Sequence, residues 1–222
     1  MTNAVIVIPA HNEAKAIAPL VKALRALNYP CVVVDDGSAD DTAGQARGAG
    51  AVVVPTGKKS GKGRALRKGF EYALAQGHTV VIAMDGDGQH LPEDVKAFVD
   101  CYESTQADIV TGNRMKNPQG MPWLRLATNR FMSWLISVVC RQRIPDTQCG
   151  FRLMTARALQ SLTLTCDDFE IETEVLVKAA KQGFTITSVP IQTIYRNEVS
   201  KINPLKDTFR FISYIAREIC KG

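Results

Sequence analysis

Short apolar runs alternate with amphipathic segments through the first half of the chain. Ala4–Ile8, Cys31–Val34, Ala51–Val54, Thr79–Met84 and Asp108–Gly112 are rich in β-branched and apolar residues, the pattern of strands covered on both faces. Between them the apolar positions return every three or four residues: Ile17, Leu20, Val21, Leu24 and Leu27; Leu66, Phe70, Ala73 and Leu74; Val95, Phe98, Val99 and Tyr102. That spacing predicts helices with one buried face. Asn12 is placed to cap the first, Ser38 with Asp41 reads as a capping box, glycines at 48, 50 and 77 suit helix ends, and Pro92 suits the first turn of the fourth. Strict alternation with short connections implies right-handed βαβ units, hence an α/β fold with a mainly parallel sheet.

The alternation stops after residue 112. Residues 113–129 read as a basic loop carrying Arg114, Lys116, Arg125 and two prolines, and Phe131–Val139 as an apolar helix. A polar motif, Asp146–Arg152, follows. Asp168–Gln182 predicts a helix, with Asp167 and Glu170 fitting a capping box, and Phe184–Pro190 a strand. Pro204–Lys221 predicts a basic amphipathic helix. With no repeat, low-complexity tract or linker visible, residues 1–222 are expected to form one domain, its first half (1–112) a ligand-binding layer and its second (113–222) grafted onto it.

Composition narrows the class. The 222 residues are 45% hydrophobic and 22% charged, with a formal net charge of +5, a globular balance that suits an anionic ligand or membrane surface and is too diffuse for nucleic acid. Six cysteines lack C-x-x-C or metal spacing and read as reduced core thiols, with a cytoplasmic location expected. The opening residues pass straight into a strand, so no signal peptide is expected, and the apolar helix near Phe131–Cys140 is too short to span a bilayer.

Chemistry concentrates at strand ends. Val80–Met84 runs into Asp85-Gly86-Asp87-Gly88-Gln89, two same-parity carboxylates and an amide oxygen that suit a hard cation such as Mg2+. Pro9–Glu13 and Asp35-Asp36 end two other strands. In a parallel sheet these ends share the edge where ligands bind, and clustered carboxylates there call for cations or donors. A divalent cation with a nucleotide accounts for all three, with Asp36 accepting from base N–H groups and Glu13 meeting ribose or base. The alternative is a set of ordinary turn and cap residues. The Gly57–Gly63 loop lacks the Ser/Thr of a phosphate-binding P-loop, and no G-x-G-x-x-G follows the first strand. Lys62 is either a diphosphate contact or a solvated lysine.

Taken together these segments resemble family 2 glycosyltransferases with the GT-A fold. The likeness runs through I-P-A-H-N-E (Ile8–Glu13), V-D-D-G-S-A-D-D-T (Val34–Thr42), K-G-R-A-L-R-K-G-F (Lys62–Phe70), M-D-G-D-G-Q-H (Met84–His90), G-N-R (Gly112–Arg114) and D-T-Q-C-G-F-R (Asp146–Arg152). The last of these, with F-E-I-E-T-E-V-L at Phe169–Leu176, is most similar to the polyprenyl-phosphate (dolichol-phosphate) mannose and glucose synthase branch. The resemblance implies a GDP- or UDP-hexose donor and Mg2+ or Mn2+. By motif, Pro9, His11, Glu13, Val34 and Asp36 would line the nucleoside; Asp85, Asp87 and Gln89 would hold the metal; Gly86 would lie against the donor. Arg114 and Arg125 would meet phosphates, with Arg125 and Asn129 on the acceptor side. His11 stands where the family more often has Tyr. The family's C-terminal R-x-x-G-x-S-K is matched by Arg196–Lys201, one residue shorter and without its glycine; Arg196 and Lys201 would close over the diphosphate.

The implied reaction is inverting transfer of a hexose, mannose or glucose, to a polyprenyl phosphate. A phosphate acceptor is already anionic and needs no strong base, which fits the absence of the Q-x-x-R-W of hydroxyl-directed members. Asp146, Glu172 and Glu174 are the candidates for a base or orienting group. Two other functions stay open: a GT-A transferase with a saccharide or hydroxyl acceptor, and a non-catalytic nucleotide-sugar-binding subunit. A lipid acceptor further implies contact with the cytoplasmic membrane face, through a membrane partner subunit or through the C-terminal helix and the Trp123/Trp134 region, unless both simply pack on the sheet.

Overall fold

The structure is a computed structural model and describes residues 2–118, 120–192 and 214–215. A seven-stranded sheet lies between two layers of helices. Its strands are β1 (Ala4–Ala10), β2 (Cys31–Asp35), β3 (Val52–Pro55), β4 (Val80–Ala83), β5 (Ile109–Asn113), β6 (Arg152–Thr155) and β7 (Ile186–Pro190), in spatial order β3-β2-β1-β4-β6-β5-β7. All neighbours pair in parallel except β6, which is antiparallel to both β4 and β5. The helices are α1 (Ala14–Ala26), α2 (Thr42–Gly48), α3 (Lys62–Ala75), α4 (Val95–Thr105), α5 (Trp123–Cys140), α6 (Ala156–Ser161) and α7 (Ile171–Lys181).

Alternate residues of the central strands feed two cores, as a pleated strand covered on both sides requires. Ala4, Ile6, Ile8 and Ala10 of β1 pack with Ile17, Val21 and Leu24 of α1 and Phe98 of α4. Val5 and Val7 pack with Leu66 and Phe70 of α3, Ile136 of α5 and Leu176 of α7. Helix α3 approaches the sheet closely at Gly69, where an added Cβ would sit 2.3 Å from Val7 Cγ1 and 2.9 Å from Val34 Cγ2.

Several local expectations are corrected. Asn12 does not cap α1: it takes a left-handed φ of 57°, and its Oδ1 accepts from Ala39 N at 2.8 Å. Ser38 caps no helix either. Its hydroxyl accepts from Asn12 N at 3.0 Å, so the two turns tie to each other. No side-chain cap forms at Glu170, at the start of α7; Asp167 pairs with Arg64 and Arg67 instead. The segment before residue 129 is not all loop, because α5 begins at Trp123. Strand β6 and helix α6 are additions to the expected elements: β6 opens on the arginine of the polar 146–152 motif, and six residues of α6 are too short for a helical period to show. Of the helix expected over 204–221, only Tyr214 and Ile215 are described, both buried.

Strand β6 has a functional consequence. Running against its neighbours, it starts at the edge where the parallel strands end. That delivers the 146–151 segment to the same edge as the strand-end carboxylates.

Candidate functional site

The ends of β1 and β2 form one wall. His11 Nδ1 lies 2.9 Å from the Asp36 carbonyl, and Glu13 N donates to the Thr42 hydroxyl at 2.8 Å. Asp36 is buried, and its carboxylate accepts from Ser60 N at 2.8 Å, Ser60 Oγ at 2.6 Å, Thr56 Oγ1 at 3.0 Å and Gly61 N at 2.9 Å. A carboxylate has about four acceptor positions, so Asp36 here holds the loop between β3 and α3 in place. Pro9 is half-buried at the edge. Val34 faces the α3 core and is fully buried, so only its backbone borders the edge.

The end of β4 forms the centre. Lys62, the first residue of α3, places Nζ 2.6 Å from Asp85 Oδ1 and 2.6 Å from Glu172 Oε1. Burial opposes the Lys62 charge, but the two carboxylates override it and hold the ammonium protonated well above the usual lysine range. Burial likewise opposes ionisation of Asp85, and the Lys62 charge with His90 overrides it, holding that carboxyl far below its usual range. Asp87 differs: burial, then the Asp85 charge, raise its pKa. Its Oδ1 accepts from Gln89 N at 2.9 Å. His90 Nε2 lies 3.8 Å from Asp85 Oδ2, and its buried Nδ1 has no hydrogen-bond partner. Gly86 is buried against β1, its would-be Cβ 3.3 Å from Ile8 Cγ2 and Pro9 O. Gly150 packs on the ion cluster, where a Cβ would come within 2.8 Å of Asp85 Oδ2, 2.9 Å of Glu172 Oε1 and 3.0 Å of Lys62 Nζ.

The donor set fits a hard divalent cation. Burial and the Asp85 charge oppose ionisation of Asp87 more than the Gln89 amide, His90 and Lys62 favour it, and a bound cation would relieve that. Among the described residues no group of three or more His, Cys, Asp or Glu could hold a metal ion, so the remaining ligands of such an ion would be phosphate and water oxygens. Lys62 acts as the internal counter-ion. Lys62→Met should strand Asp85 and Glu172 without a positive partner, costing about 3 kcal/mol and roughly 6–12 °C in Tm. Differential scanning calorimetry without divalent ions checks this, and an unchanged Tm would show the triad to be unimportant for stability.

The far wall is built on a buried ion pair. Arg114 Nε donates to Asp146 Oδ2 at 2.8 Å and Nη2 to Oδ1 at 3.0 Å, while Arg114 N donates to Oδ2 at 3.1 Å. Asp146 is fully buried. Arg152 donates to the carbonyls of Cys149, Thr147 and Glu172, which locks the 146–151 segment to α7. Arg152 was legible only as part of a motif; its stapling role depends on contacts across 20 residues. Glu174, a candidate base, is fully buried and accepts from Thr165 N, Cys166 N and Lys178 Nζ. On α5, Arg125 is exposed, while Asn129 faces inward with Nδ2 4.0 Å from Met121 Sδ. Arg196 and Lys201 lie outside the described residues. Burial pushes the thiols of Cys31, Cys140, Cys149 and Cys166 up to about 12, so none of these is a nucleophile at neutral pH.

The profile of Glycosyl transferase family 2 matches residues 5–163. Glycosyltransferase AglJ of Haloferax volcanii is 35% identical over 208 residues, covering 91% of this chain and 67% of the relative. The UDP-N-acetylglucosamine–dolichyl-phosphate N-acetylglucosaminyltransferase of Methanococcus voltae is 29% identical over 213 residues, covering 86% and 85%. Among solved structures, glucosyl-3-phosphoglycerate synthase from Mycobacterium tuberculosis with Mn2+, UDP and phosphoglyceric acid superposes with a TM-score of 0.75 at 20% identity, covering 98% of this chain and 77% of that one. That likeness is one of fold, and the fold is GT-A.

Proposed function

This chain belongs to glycosyl transferase family 2, and on that premise we propose that it moves a hexose, mannose or glucose, from a GDP- or UDP-sugar to the phosphate of a polyprenyl phosphate, inverting the anomeric carbon and using Mg2+ or Mn2+. The observation that carries the acceptor class is the state of the three candidate bases. Asp146 is bound by Arg114, Glu172 by Lys62, and Glu174 by Lys178 and two backbone amides. Each of the three is tied to a cation rather than held ready for a hydroxyl proton, and an acceptor phosphate needs no base. The Methanococcus voltae relative, named for a dolichyl-phosphate acceptor, supports the same reading.

In this mechanism Pro9, His11 and Glu13 line the nucleoside, and Asp36 shapes its pocket by holding Ser60 and Gly61. Gly86 lies against the donor. Asp85, Asp87 and Gln89 would hold the cation, which when bound would supply charge neutralisation for the departing diphosphate. Arg114, aimed by Asp146, and Arg125 meet phosphate oxygens, with Arg196 and Lys201 assigned to the diphosphate. An acceptor phosphate oxygen forms the new bond to the anomeric carbon from the face opposite the leaving diphosphate oxygen, whose bond breaks. Residues 1–112 serve the donor and 113–222 the acceptor.

A second reading, a small phosphorylated acceptor that reacts through a hydroxyl, is favoured by the phosphoglyceric acid in the solved Mycobacterium tuberculosis complex. Thermal-shift titration with GDP- and UDP-sugars, with and without Mn2+, tests the donor half: one nucleotide should stabilise selectively and only with metal. Equal, metal-independent shifts would remove the cation site. Transfer assays with undecaprenyl phosphate and with phosphoglyceric acid then decide the acceptor.

A further inference from the structure

Helix α5 is apolar on two opposite faces. Asn129, Ser133, Ile136 and Cys140 face the protein and are buried. Trp123, Leu124, Phe131, Trp134 and Val138 are 78%, 62%, 60%, 62% and 58% exposed. At 3.6 residues per turn these five fall, with Ala127, within an arc of about 100° directly opposite the buried stripe, over roughly 22 Å of helix. An aromatic patch of this kind on a folded domain marks an interaction surface.

Its surroundings select the partner. From Asn113 to Pro145 the chain carries Arg114, Lys116, Arg125, Arg130, Arg141 and Arg143 and no Asp or Glu. Arg114 is spent on Asp146, and the other five are exposed. Pairing this face with a second copy would bring ten like charges together. A surface of anionic headgroups over an apolar interior complements both its charge and its aromatic stripe. We infer that the outer face of α5 docks on an anionic lipid bilayer, with Trp123, Phe131, Trp134 and Val138 in the headgroup–acyl boundary and the flanking arginines on lipid phosphates. The helix lies in the membrane plane; no described helix is long and apolar enough to cross. Its inner face carries Ser133, whose hydroxyl accepts from Thr147 N at 2.9 Å, next to the Asp146 that aims Arg114. Docking therefore sets the acceptor wall of the site against the surface from which a polyprenyl phosphate is drawn. This use of the surface rests on the proposed acceptor, while the docking itself does not.

The two tryptophans of the chain, Trp123 and Trp134, both sit on this stripe, so selectively excited tryptophan fluorescence reports on it alone. Mixing the full chain with phosphatidylcholine–phosphatidylglycerol vesicles should blue-shift the emission and carry the protein into the vesicle pellet. Pure phosphatidylcholine should bind at least about tenfold more weakly, and added salt should weaken the mixed-vesicle binding. Phe131→Ser/Val138→Ser, which keeps both tryptophans, should lower vesicle binding at least about tenfold and leave transfer to a short, water-soluble prenyl phosphate unchanged. Unshifted emission with anionic vesicles overturns the inference, as does a concentration-dependent dimer that the same double substitution dissociates. Vesicle binding without transfer to any prenyl phosphate leaves the surface standing and removes the acceptor assignment.

Discussion

Asp87→Asn is expected to lower the transfer rate by about 10²–10³, because it removes one of the two carboxylates assigned to hold charge against the leaving diphosphate. Its effect on stability should run the other way. Burial and the neighbouring Asp85 raise the Asp87 pKa. The sign follows from linkage: a carboxyl raised on folding favours the fold only while protonated, below its unfolded value of about 3.9, and that contribution is lost as pH rises through the folded pKa. At neutral pH without metal the charged Asp87 is therefore a burden on the fold. Asp87→Asn should raise the metal-free Tm and abolish the Mn2+-dependent increase expected of the parent. Asp85→Asn should do the opposite without metal, since it takes a partner from Lys62. Paired thermal scans at neutral pH with and without Mn2+ give the result; a lower metal-free Tm for Asp87→Asn would contradict this account of the site.

The second large effect belongs to Asp146. Its carboxylate is fully buried and accepts from Nε and Nη2 along one edge of the Arg114 guanidinium. Asp146→Asn leaves a buried arginine without its counter-charge, a loss of about 3–5 kcal/mol and roughly 10 °C in Tm. Activity should fall as well, because the guanidinium is no longer aimed. The double substitution Arg114→Met/Asp146→Leu separates the two roles. With no charge left to desolvate, it should recover most of the stability and none of the activity. A double-mutant cycle on Tm and on kcat measures the coupling. Equal activity in parent and double variant would remove Arg114 from the mechanism.

Much of the fold was written locally. Ile6, Ile8, Val33 and Ile82 sit in runs whose continuity already requires cover on both faces, and Ile17, Val21 and Leu24 mark the face that α1 buries. The carboxylates at 36, 85 and 87 stand where strand runs stop, so their gathering at one edge follows once the sheet is parallel. Strand β6 escaped because it reads as part of a polar motif: Arg152, its first residue, is a buried staple. The Asn12 and Ser38 cap assignments failed for a related reason. Each side chain satisfies a backbone group on the other turn, 26–27 residues away, and a local motif cannot register a distant donor.

The sequence by itself determined the α/β class, the carboxylate-bearing strand ends and the acid-free basic tract after residue 112, because burial patterns and charge are properties of position along the chain. Only the tertiary structure decided how those charges are spent. It put Lys62 between Asp85 and Glu172, turned Asp36 onto the loop between β3 and α3, closed Arg114 on Asp146, and left Trp123 and Trp134 facing outward. Lys62 meets Asp85 across 23 residues of chain, Asp36 meets Ser60 across 24 and Arg114 meets Asp146 across 32, each within about 3 Å, and the exposure of the tryptophans depends on which face of α5 the core takes. No periodicity or motif carries that information.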